Sequence, residues 1–427
     1  MTTLALEGGA PVRTRPFPKR NPFGLEDAQQ VLDALNQQTL FFPTGRKVYE
    51  FQERFAELYG VKHVTMSTSG TAAIHVAVGA VDPEPGDEII TTPVSDMGTV
   101  SPIIMQNAVP IFADVDPLTF NLDPDDVEAK ITPRTRAIIV VHCWGQPADM
   151  DRFVAIARKH NLVLIEDCAQ AHLTYYKGRL AGTIGDLAAF SLQDSKHLQC
   201  GEGGITITNH DRMGERAALF VDKGCSWSAD RKVRLKYAFI GPCYRMTELQ
   251  GAVLLAQLPR LPEIVKQRQQ LGERLRLQLQ DIPGILPPGR VDGAEHSYWS
   301  FPIRVLSDEL GVTPAEFGAA LEAEGIPSGA WLGKPLHMFE ALSEQITFGQ
   351  SHFPFGSAYN PRPVRYGPGL CPNAELAVAQ LRTFWPHERY SEEDVDDIAA
   401  GVRKVAEAYA VRARKVVTAG SDSSLGR

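Results

Sequence analysis

The sequence predicts an α/β fold: a large domain built on a mostly parallel seven-stranded sheet covered by helices, followed by a smaller α+β C-terminal domain. Two observations lead to this prediction. From residue 61 onward, short runs rich in Ile and Val alternate with helix-like segments, and beyond residue 259 a long amphipathic helical stretch replaces that pattern. Continuous apolar runs are typical of buried parallel strands, and alternation with helices is typical of sheets covered on both faces.

The elements of the large domain follow in order along the chain. Two helices are expected at 24–38 and 47–59, because apolar side chains recur there at helical spacing. Further helices are expected at 71–81 and 149–160, between apolar runs. The seven expected strands are 63–66, 88–92, 109–114, 137–142, 163–166, 188–192 and 204–208.

The C-terminal part is mainly helical. Helices are expected at 247–258, 262–280, 313–324 and 391–411, with a strand inside 298–304 and a Gly- and Pro-rich stretch at 325–369. We therefore predict an N-terminal segment and large domain at 1–259 and a small domain at 260–415. The Gly- and Ser-rich tail, 416–427, is expected to be disordered.

The composition excludes several classes of protein. A net charge of −8 and the absence of a basic run argue against nucleic-acid binding. The sequence contains no run of 18 apolar residues, so no membrane-spanning helix is expected. The first residues do not resemble a signal peptide. The six cysteines form no Cys-x-x-Cys pair, which favours reduced thiols in the cytoplasm over a disulfide framework or a metal site.

A single lysine, Lys196, stands in a segment that joins two apolar runs. The run that begins at Ala188 leads into Ser191 and Lys196, and three glycines precede the next run at Ile205. Such a loop holds an amine in a defined place, and a buried lysine with a lowered pKa can form a Schiff base. The alternative is a surface lysine on a hairpin.

The segment 67–74 joins the first expected strand to a helix. Its small residues leave backbone N–H groups bare at a helix N-terminus, which favours an anion site with a hydroxyl from Ser69 or Thr71. An ordinary serine cap is the alternative.

Three polar side chains, Glu166, Asp167 and Gln170, follow the strand expected at 163–166. Ligands bind at that end of the strands in open α/β sheets, so a carboxylate there can pair with a positive group of a ligand. An aspartate that caps a helix is the alternative. Asp167 and Lys196 are separated by one strand and one loop, so both can face one pocket.

Together these motifs resemble the DegT/StrS family of sugar and cyclitol aminotransferases, which are pyridoxal-phosphate enzymes of fold type I in the aspartate aminotransferase superfamily. The resemblance extends from Leu6 to the helix near Val405. The motifs that carry it are Ser69-Gly-Thr-Ala-Ala, Val141-His-Cys-Trp-Gly-Gln-Pro-Ala-Asp-Met150, Glu166-Asp-Cys-Ala-Gln-Ala-His172, Phe190-Ser191, Lys196, Gly201-Glu-Gly-Gly204 and Tyr244-Arg-Met-Thr-Glu-Leu-Gln250.

The resemblance implies a role for each matching residue. Lys196 corresponds to the lysine that bonds to the cofactor and shuttles the substrate proton. Asp167 corresponds to the carboxylate that keeps the pyridine nitrogen protonated, and Gln170 lies beside the phenolic oxygen. The remaining cofactor contacts would be Gly70, Thr71 and Ser191 at the phosphate, with Ser69 beside them, and Gln193 near the ring.

Two positions depart from the family pattern. Met97 aligns with the aromatic residue that stacks on the cofactor, with Asp96 beside it, and a thioether can pack on a ring. Cys243 replaces the asparagine that reaches the neighbouring subunit's phosphate. Tyr244 and Arg245 are expected at the partner's site or in helix-cap roles. His337 is expected at the substrate or on a surface loop.

The resemblance implies an aminotransferase that moves an amino group from glutamate or glutamine to a keto-sugar, often nucleotide-linked, or to a keto-cyclitol. Such reactions belong to amino-sugar, antibiotic or surface-glycan biosynthesis. A cytoplasmic homodimer with shared active sites is implied, without metal, nucleic acid or membrane. Three alternatives stay open: a sugar dehydratase, which typically carries His in place of the lysine; an aminoaromatic synthase; and a catalytically silent fold that serves as a sensor or subunit.

Overall fold

The computed structural model describes residues 3–360 and 362–422 and centres on one seven-stranded sheet. All seven predicted strands are present, in the side-by-side order β1-β7-β6-β5-β4-β2-β3. The predicted fold class is therefore confirmed. The strands are β1 (His63–Ser67), β2 (Glu88–Thr91), β3 (Val109–Phe112), β4 (Thr135–Val141), β5 (Val163–Asp167), β6 (Leu187–Ser191) and β7 (Gly204–Thr208).

The strand β7 is the antiparallel member of this sheet. It pairs antiparallel with β1 and β6, whereas the pairs among β2, β3, β4, β5 and β6 are parallel. The loops that follow β1, β2, β5 and β6 consequently leave the sheet at one edge, which is where open α/β sheets bind ligands.

Helices cover the sheet on both faces. The helix Gly70–Val81 is buried over most of its length because it is rich in alanine and valine, whose small side chains let it pack closely. Its N-terminus is capped by Ser69, whose Oγ accepts from Ala72 N–H. The other helices before residue 247 are Leu25–Asn36, Lys47–Tyr59, Ser101–Met105, Pro124–Lys130, Met150–His160 and Asp211–Phe220.

The C-terminal part has its own apolar cluster around a small antiparallel sheet. The strand Phe301–Val305 lies between Ile285–Leu286 and Leu381–Phe384, and Leu4 from the N-terminus joins the same cluster. The boundary at residue 259 stays a prediction. The helices are Glu248–Gln257, Leu261–Leu279, Ser307–Leu310, Pro314–Ala323, Glu340–Ser343, Pro372–Ala379 and Glu392–Asp422.

The last helix, Glu392–Asp422, is longer than the expected helix at 391–411. Residues 402–419 contain neither glycine nor proline to end it. The disorder expected for 416–427 stays a prediction. Residues 423–427 lie outside the described part of the chain. Over the described residues, none of the helices has both the length and the apolar character that spanning a bilayer requires.

Candidate active site

A cavity of about 390 Å³ lies at the edge where the parallel strands end. The loops after β1, β2, β5 and β6 each contribute to its walls. Eight of the nine predicted cofactor-binding residues line this one cavity: Ser69, Gly70, Thr71, Asp167, Gln170, Ser191, Gln193 and Lys196. The structure thus brings together residues that are up to 127 positions apart in the chain.

The carboxylate of Asp167 stands at the end of β5 and is 2 % exposed. Its Oδ1 accepts from Ala169 N–H at 3.0 Å and its Oδ2 accepts from Thr99 Oγ1 at 2.8 Å. Burial raises the pKa of Asp167, while the hydrogen bonds from Ala169 and Thr99 and the positive charge of Lys196 oppose that rise. The carboxylate is fixed in orientation and accessible from the cavity.

The amide of Gln170 has a defined orientation. Its Oε1 accepts from Trp144 N–H at 2.6 Å. Because a backbone N–H can only donate, the bonded atom is the oxygen, and Nε2 remains as a donor for a ligand. An oxygen that carries negative charge suits this donor.

The N-terminus of the helix Gly70–Val81 forms the anion-binding side of the cavity. Ser69 satisfies Ala72 N–H, which leaves the N–H groups of Gly70 and Thr71 for a ligand. Ser191 lies directly against this turn: a Cβ on Gly70 would stand 2.7 Å from Ser191 Cβ. Glycine is therefore required at position 70 for the hydroxyl of Ser191 to sit beside the helix end.

The loop that carries Lys196 is closed by backbone hydrogen bonds and by an arginine. Leu192 N–H donates to Gly203 O, and Gly201 takes a φ of +87°, which favours glycine. The guanidinium of Arg20 donates to the carbonyl oxygens of Asp194 at 2.7 Å and Lys196 at 2.8 Å. These contacts fix the backbone from which the lysine side chain extends.

The amine of Lys196 lies over an aromatic ring. Its Nζ is 3.8 Å from the centroid of Trp299, whose indole N–H donates to Ser195 O. Burial lowers the pKa of Lys196 to about 8, although the carboxylates of Asp167, Asp96 and Asp194 oppose that shift. The neutral, nucleophilic fraction of this amine at pH 7 is therefore far larger than that of an exposed lysine.

This lowered pKa gives a direct test on the protein without cofactor. The rate at which Lys196 is acetylated by acetic anhydride should rise with pH and level off above a midpoint near 8, because only the neutral amine reacts. Peptide mass spectrometry measures the modification, with the surface residue Lys159 as an internal reference. A midpoint near 10 would mean that burial does not activate this lysine.

Met97 is not among the residues that line the cavity, and its contact with the cofactor ring stays a prediction. Met97 opens a 3-10 turn, Met97–Thr99, and packs partly buried against the large core cluster. Asp96 caps this turn and Thr99 ends it, and both residues line the cavity. Aromatic surface comes instead from Trp299 and Trp331, which also line the cavity.

Sequence reasoning did not single out either tryptophan. Their rings pack edge to face with centroids 5.7 Å apart, and Trp331 packs in the same way on Trp144. Trp299 lies in the stretch 298–304, for which the sequence predicts only a strand. Trp331 lies in the Gly- and Pro-rich stretch, where no periodicity marked it.

The three predicted substrate or partner residues lie outside this cavity. His337 is fully buried, with Nε2 3.0 Å from Glu375 Oε1 and its ring against Phe112, so it does not lie on a surface loop, and its contact with substrate stays a prediction. Tyr244 OH bonds His75 Nδ1 at 3.0 Å, and Arg245 pairs with the carboxylate of Asp222. Cys243 is exposed near this pair.

Glu166 has a structural role. Its carboxylate accepts from the N–H groups of Gly182, Ile184 and Gly185 and from His142 Nε2. The ring's Nδ1 accepts from Ala148 N–H, so its proton is on Nε2. Although these two side chains and Cys168 place possible ligand atoms within 4.8 Å, the histidine and the carboxylate are already committed to the protein.

The sequence model of the DegT/DnrJ/EryC1/StrS aminotransferase family matches residues 23–403. The chain belongs to this family. Pyridoxal phosphate is therefore its cofactor, and the chain is an aminotransferase. The third alternative above, a silent fold, is set aside.

Relatives of known name agree with this membership of the DegT/DnrJ/EryC1/StrS family. The chain is 35% identical over 427 residues to L-glutamine:2-deoxy-scyllo-inosose aminotransferase of Streptoalloteichus tenebrarius, covering 94% of this chain and 97% of that protein. It is 36% identical over 304 residues to GDP-perosamine synthase of Caulobacter vibrioides, covering 71% and 80%. The crystal structure of 3-amino-5-hydroxybenzoic acid synthase superposes with a TM-score of 0.80 at 26% identity, covering 93% and 99%.

The cavity fits the family's cofactor group by group. The helix end at Gly70 and Thr71 and the hydroxyl of Ser191 suit the phosphate, and Asp167 suits a protonated pyridine nitrogen. The donor Nε2 of Gln170 suits the phenolic oxygen. Lys196 supplies the amine that the aldehyde requires.

Proposed function

We propose that this aminotransferase moves the amino group of glutamine or glutamate to a keto-cyclitol or a keto-sugar through Lys196 and Asp167. The observation that carries the proposal is the meeting of a neutral-prone lysine, a buried carboxylate and a helix N-terminus in one cavity. Each of the three groups has a counterpart on pyridoxal phosphate. A cavity that did not bind this cofactor would not require the lysine, the carboxylate and the helix N-terminus together.

Each residue of the cavity has a separate role in the proposed reaction. When bound, pyridoxal phosphate supplies an electron sink for the negative charge that develops on the donor's α-carbon. Asp167 holds the proton on the ring nitrogen, and Gln170 Nε2 orients the ring through its phenolic oxygen. Lys196 Nζ takes the proton from the donor's α-carbon and later delivers a proton to the carbonyl carbon of the acceptor. Trp299 and Trp331 exclude water from this side.

The acceptor is proposed to be a polyhydroxylated ring ketone. The Streptoalloteichus relative, named for a glutamine donor and a cyclitol ketone, matches nearly the whole chain, which supports a keto-cyclitol and glutamine first. The Caulobacter relative supports a nucleotide-linked keto-sugar as the other form. In either case the faces of Trp299 and Trp331 offer apolar surface for the C–H groups of the ring. A role in antibiotic, amino-sugar or surface-glycan biosynthesis follows as part of the proposal.

An aminoaromatic synthase is the second candidate function. It is favoured by one observation, the superposition with 3-amino-5-hydroxybenzoic acid synthase. The dehydratase alternative is not favoured, because Lys196 occupies the position where those relatives typically have histidine.

We further propose a cytoplasmic homodimer. The hairpin of Cys225–Trp227 and Arg234–Tyr237 presents exposed apolar side chains, and Ile240 after it is 97% exposed. Such a patch suits a second copy of the chain, and Tyr244 and Arg245, which follow Ile240 in the sequence, are proposed to lie near that copy's site. The six unpaired cysteines support a reducing compartment.

The visible spectrum of the protein loaded with pyridoxal phosphate tests the proposal. We expect a violet band that is lost on addition of L-glutamine or L-glutamate and returns when a keto-acceptor is added. The acceptors to compare are 2-deoxy-scyllo-inosose and a GDP-linked 4-keto-sugar, with mass spectrometry of the aminated product. A band that no donor changes would overturn aminotransfer to these rings. An aromatic product from a cyclic amino-ketone would instead select the synthase.

A further inference from the structure

A chain of two buried hydroxyls stands behind the Asp167 carboxylate. Thr99 is 1% exposed and Ser95 is 2% exposed, and both precede the short helix that begins at Ser101. Thr99 Oγ1 lies 2.8 Å from Asp167 Oδ2, and Ser95 Oγ lies 2.7 Å from Thr99 Oγ1. Both hydroxyl residues also line the cavity. No part of the function proposed above uses them.

The direction of this hydrogen-bond chain follows from its chemistry. An ionised carboxylate can only accept, so the single proton of Thr99 is donated to Asp167. Thr99 Oγ1 must then accept from Ser95, which gives the order Ser95 to Thr99 to Asp167. Each hydrogen bond polarises the next one in the same direction, and burial excludes water that would compete for these hydroxyl groups.

The hydrogen-bond chain from Ser95 through Thr99 ends at Oδ2 of Asp167, which accepts no other hydrogen bond from the described residues. Oδ1 of Asp167 is fixed by Ala169 N–H, whereas Oδ2 takes its bond from Thr99. Of the other charged or titratable groups around this carboxylate, Lys196 faces it from the loop after β6, and His142 lies behind it with its proton committed to Glu166. Thr99 is therefore the group that sets the rotation of the carboxylate.

We propose that Thr99, held by Ser95, is a positioning residue that orients the Asp167 carboxylate toward the ring nitrogen of pyridoxal phosphate. This inference rests on the proposed role of Asp167. The hydroxyl does not touch the reacting atoms, and it acts only through the carboxylate. Ser95 in turn acts only through Thr99.

The test compares the binding of two ligands to the protein without cofactor. One is pyridoxal phosphate, and the other is its analogue in which C–H replaces the ring nitrogen. Thr99→Val keeps the shape but removes the hydroxyl, so it should weaken binding of pyridoxal phosphate about 10–100-fold, the factor of one hydrogen bond to a charged group. Binding of the analogue should change less than about twofold, because no ring-nitrogen proton is present for Asp167 to hold.

A double-mutant cycle tests the order of the chain. Ser95→Ala should weaken binding severalfold, and the double variant should be no weaker than Thr99→Val alone, because Ser95 has no separate route to the carboxylate. Thr99→Ser should restore most of the affinity. Thr208→Val is the matched control, since Thr208 is a buried donor to Asp186 O at the opposite edge of the sheet.

The outcomes separate this inference from the proposed function. Equal losses of affinity for both ligands, or additive losses of affinity in the double-mutant cycle, would overturn the positioning role. Thr99 and Ser95 would then contribute only packing. Wild-type binding by Thr99→Val would overturn it as well. These readouts are independent of any donor or acceptor, so a failure to find the keto-acceptor would leave them unchanged.

Discussion

Replacing Lys196 by alanine should reduce aminotransfer to the background rate while the fold remains intact. Among the residues described around the cavity, Lys196 supplies the one aliphatic amine, and its Nζ lies over the ring of Trp299, which also lines the cavity. Loss of a positioned proton-transfer group costs about 10²–10⁴-fold, and here the covalent attachment of the cofactor is lost as well. The measurement is the rate of amine transfer from L-glutamine with pyridoxal phosphate in excess.

Stability separates this loss from unfolding. Burial lowers the pKa of Lys196, so at pH 7 the folded state disfavours the charged amine and alanine removes that cost. The unloaded variant should therefore melt within a few degrees of the parent or above it. Lys159→Ala, which removes an exposed amine paired with Glu128, is the control and should keep full activity. A Lys196→Ala protein that still turns over substantially would show that another group is the catalytic amine.

The positions of the strands were predictable because their sequence signal is local. Runs such as 137–142 and 163–166 are apolar along their whole length, as strands buried on both faces must be. The end of the last helix was not predictable in the same way. Glycine and serine near Gly420 indicate disorder, but a helix that is already formed can extend through a few weak residues.

The candidate site was predictable only where a residue's role depends on its neighbours in sequence. Gly70, Asp167 and Lys196 each lie in a motif at a strand end, and the topology brings those ends to one edge. Met97 lies in a 3-10 turn and packs partly buried against the core cluster, a local arrangement that alignment does not reveal. The burial of His337 could not be predicted, because it depends on Glu375, which lies 38 positions later in the chain.

The roles of Thr99 and Trp331 could not be predicted from the sequence for a different reason. The hydroxyl of Thr99 has meaning only through Asp167, which lies 68 positions later in the chain. Trp331 packs on Trp299, 32 positions earlier in the chain, and on Trp144, 187 positions earlier. No spacing rule links such residues, so contacts of this kind are visible only once the tertiary structure is known.

Asp167→Asn should retain the fold and should weaken binding of pyridoxal phosphate at least as much as Thr99→Val does, and with the cofactor in excess it should still lose at least about a hundredfold in kcat. The amide keeps the shape, its oxygen can still accept from Ala169 N–H, and its nitrogen can donate to Thr99 if that hydroxyl reverses. What disappears is the negative charge that holds the ring-nitrogen proton. Removing one preorganised electrostatic partner from a buried site typically costs about 10²–10³-fold.

We expect the missing negative charge, rather than a change in the hydrogen bonds of residue 167, to explain the lower kcat. The analogue in which C–H replaces the ring nitrogen distinguishes these two causes. With pyridoxal phosphate, the variant should be slow while the KM for L-glutamine stays nearly constant, because Asp167 stabilises charge that develops after the donor binds. With the C–H analogue, parent and variant should be equally slow. Asp151→Asn, which changes a surface carboxylate paired with Lys177, serves as the control. Near-parent activity in Asp167→Asn would assign the proton on the ring nitrogen to another group and would leave the Ser95–Thr99 chain without a catalytic consequence.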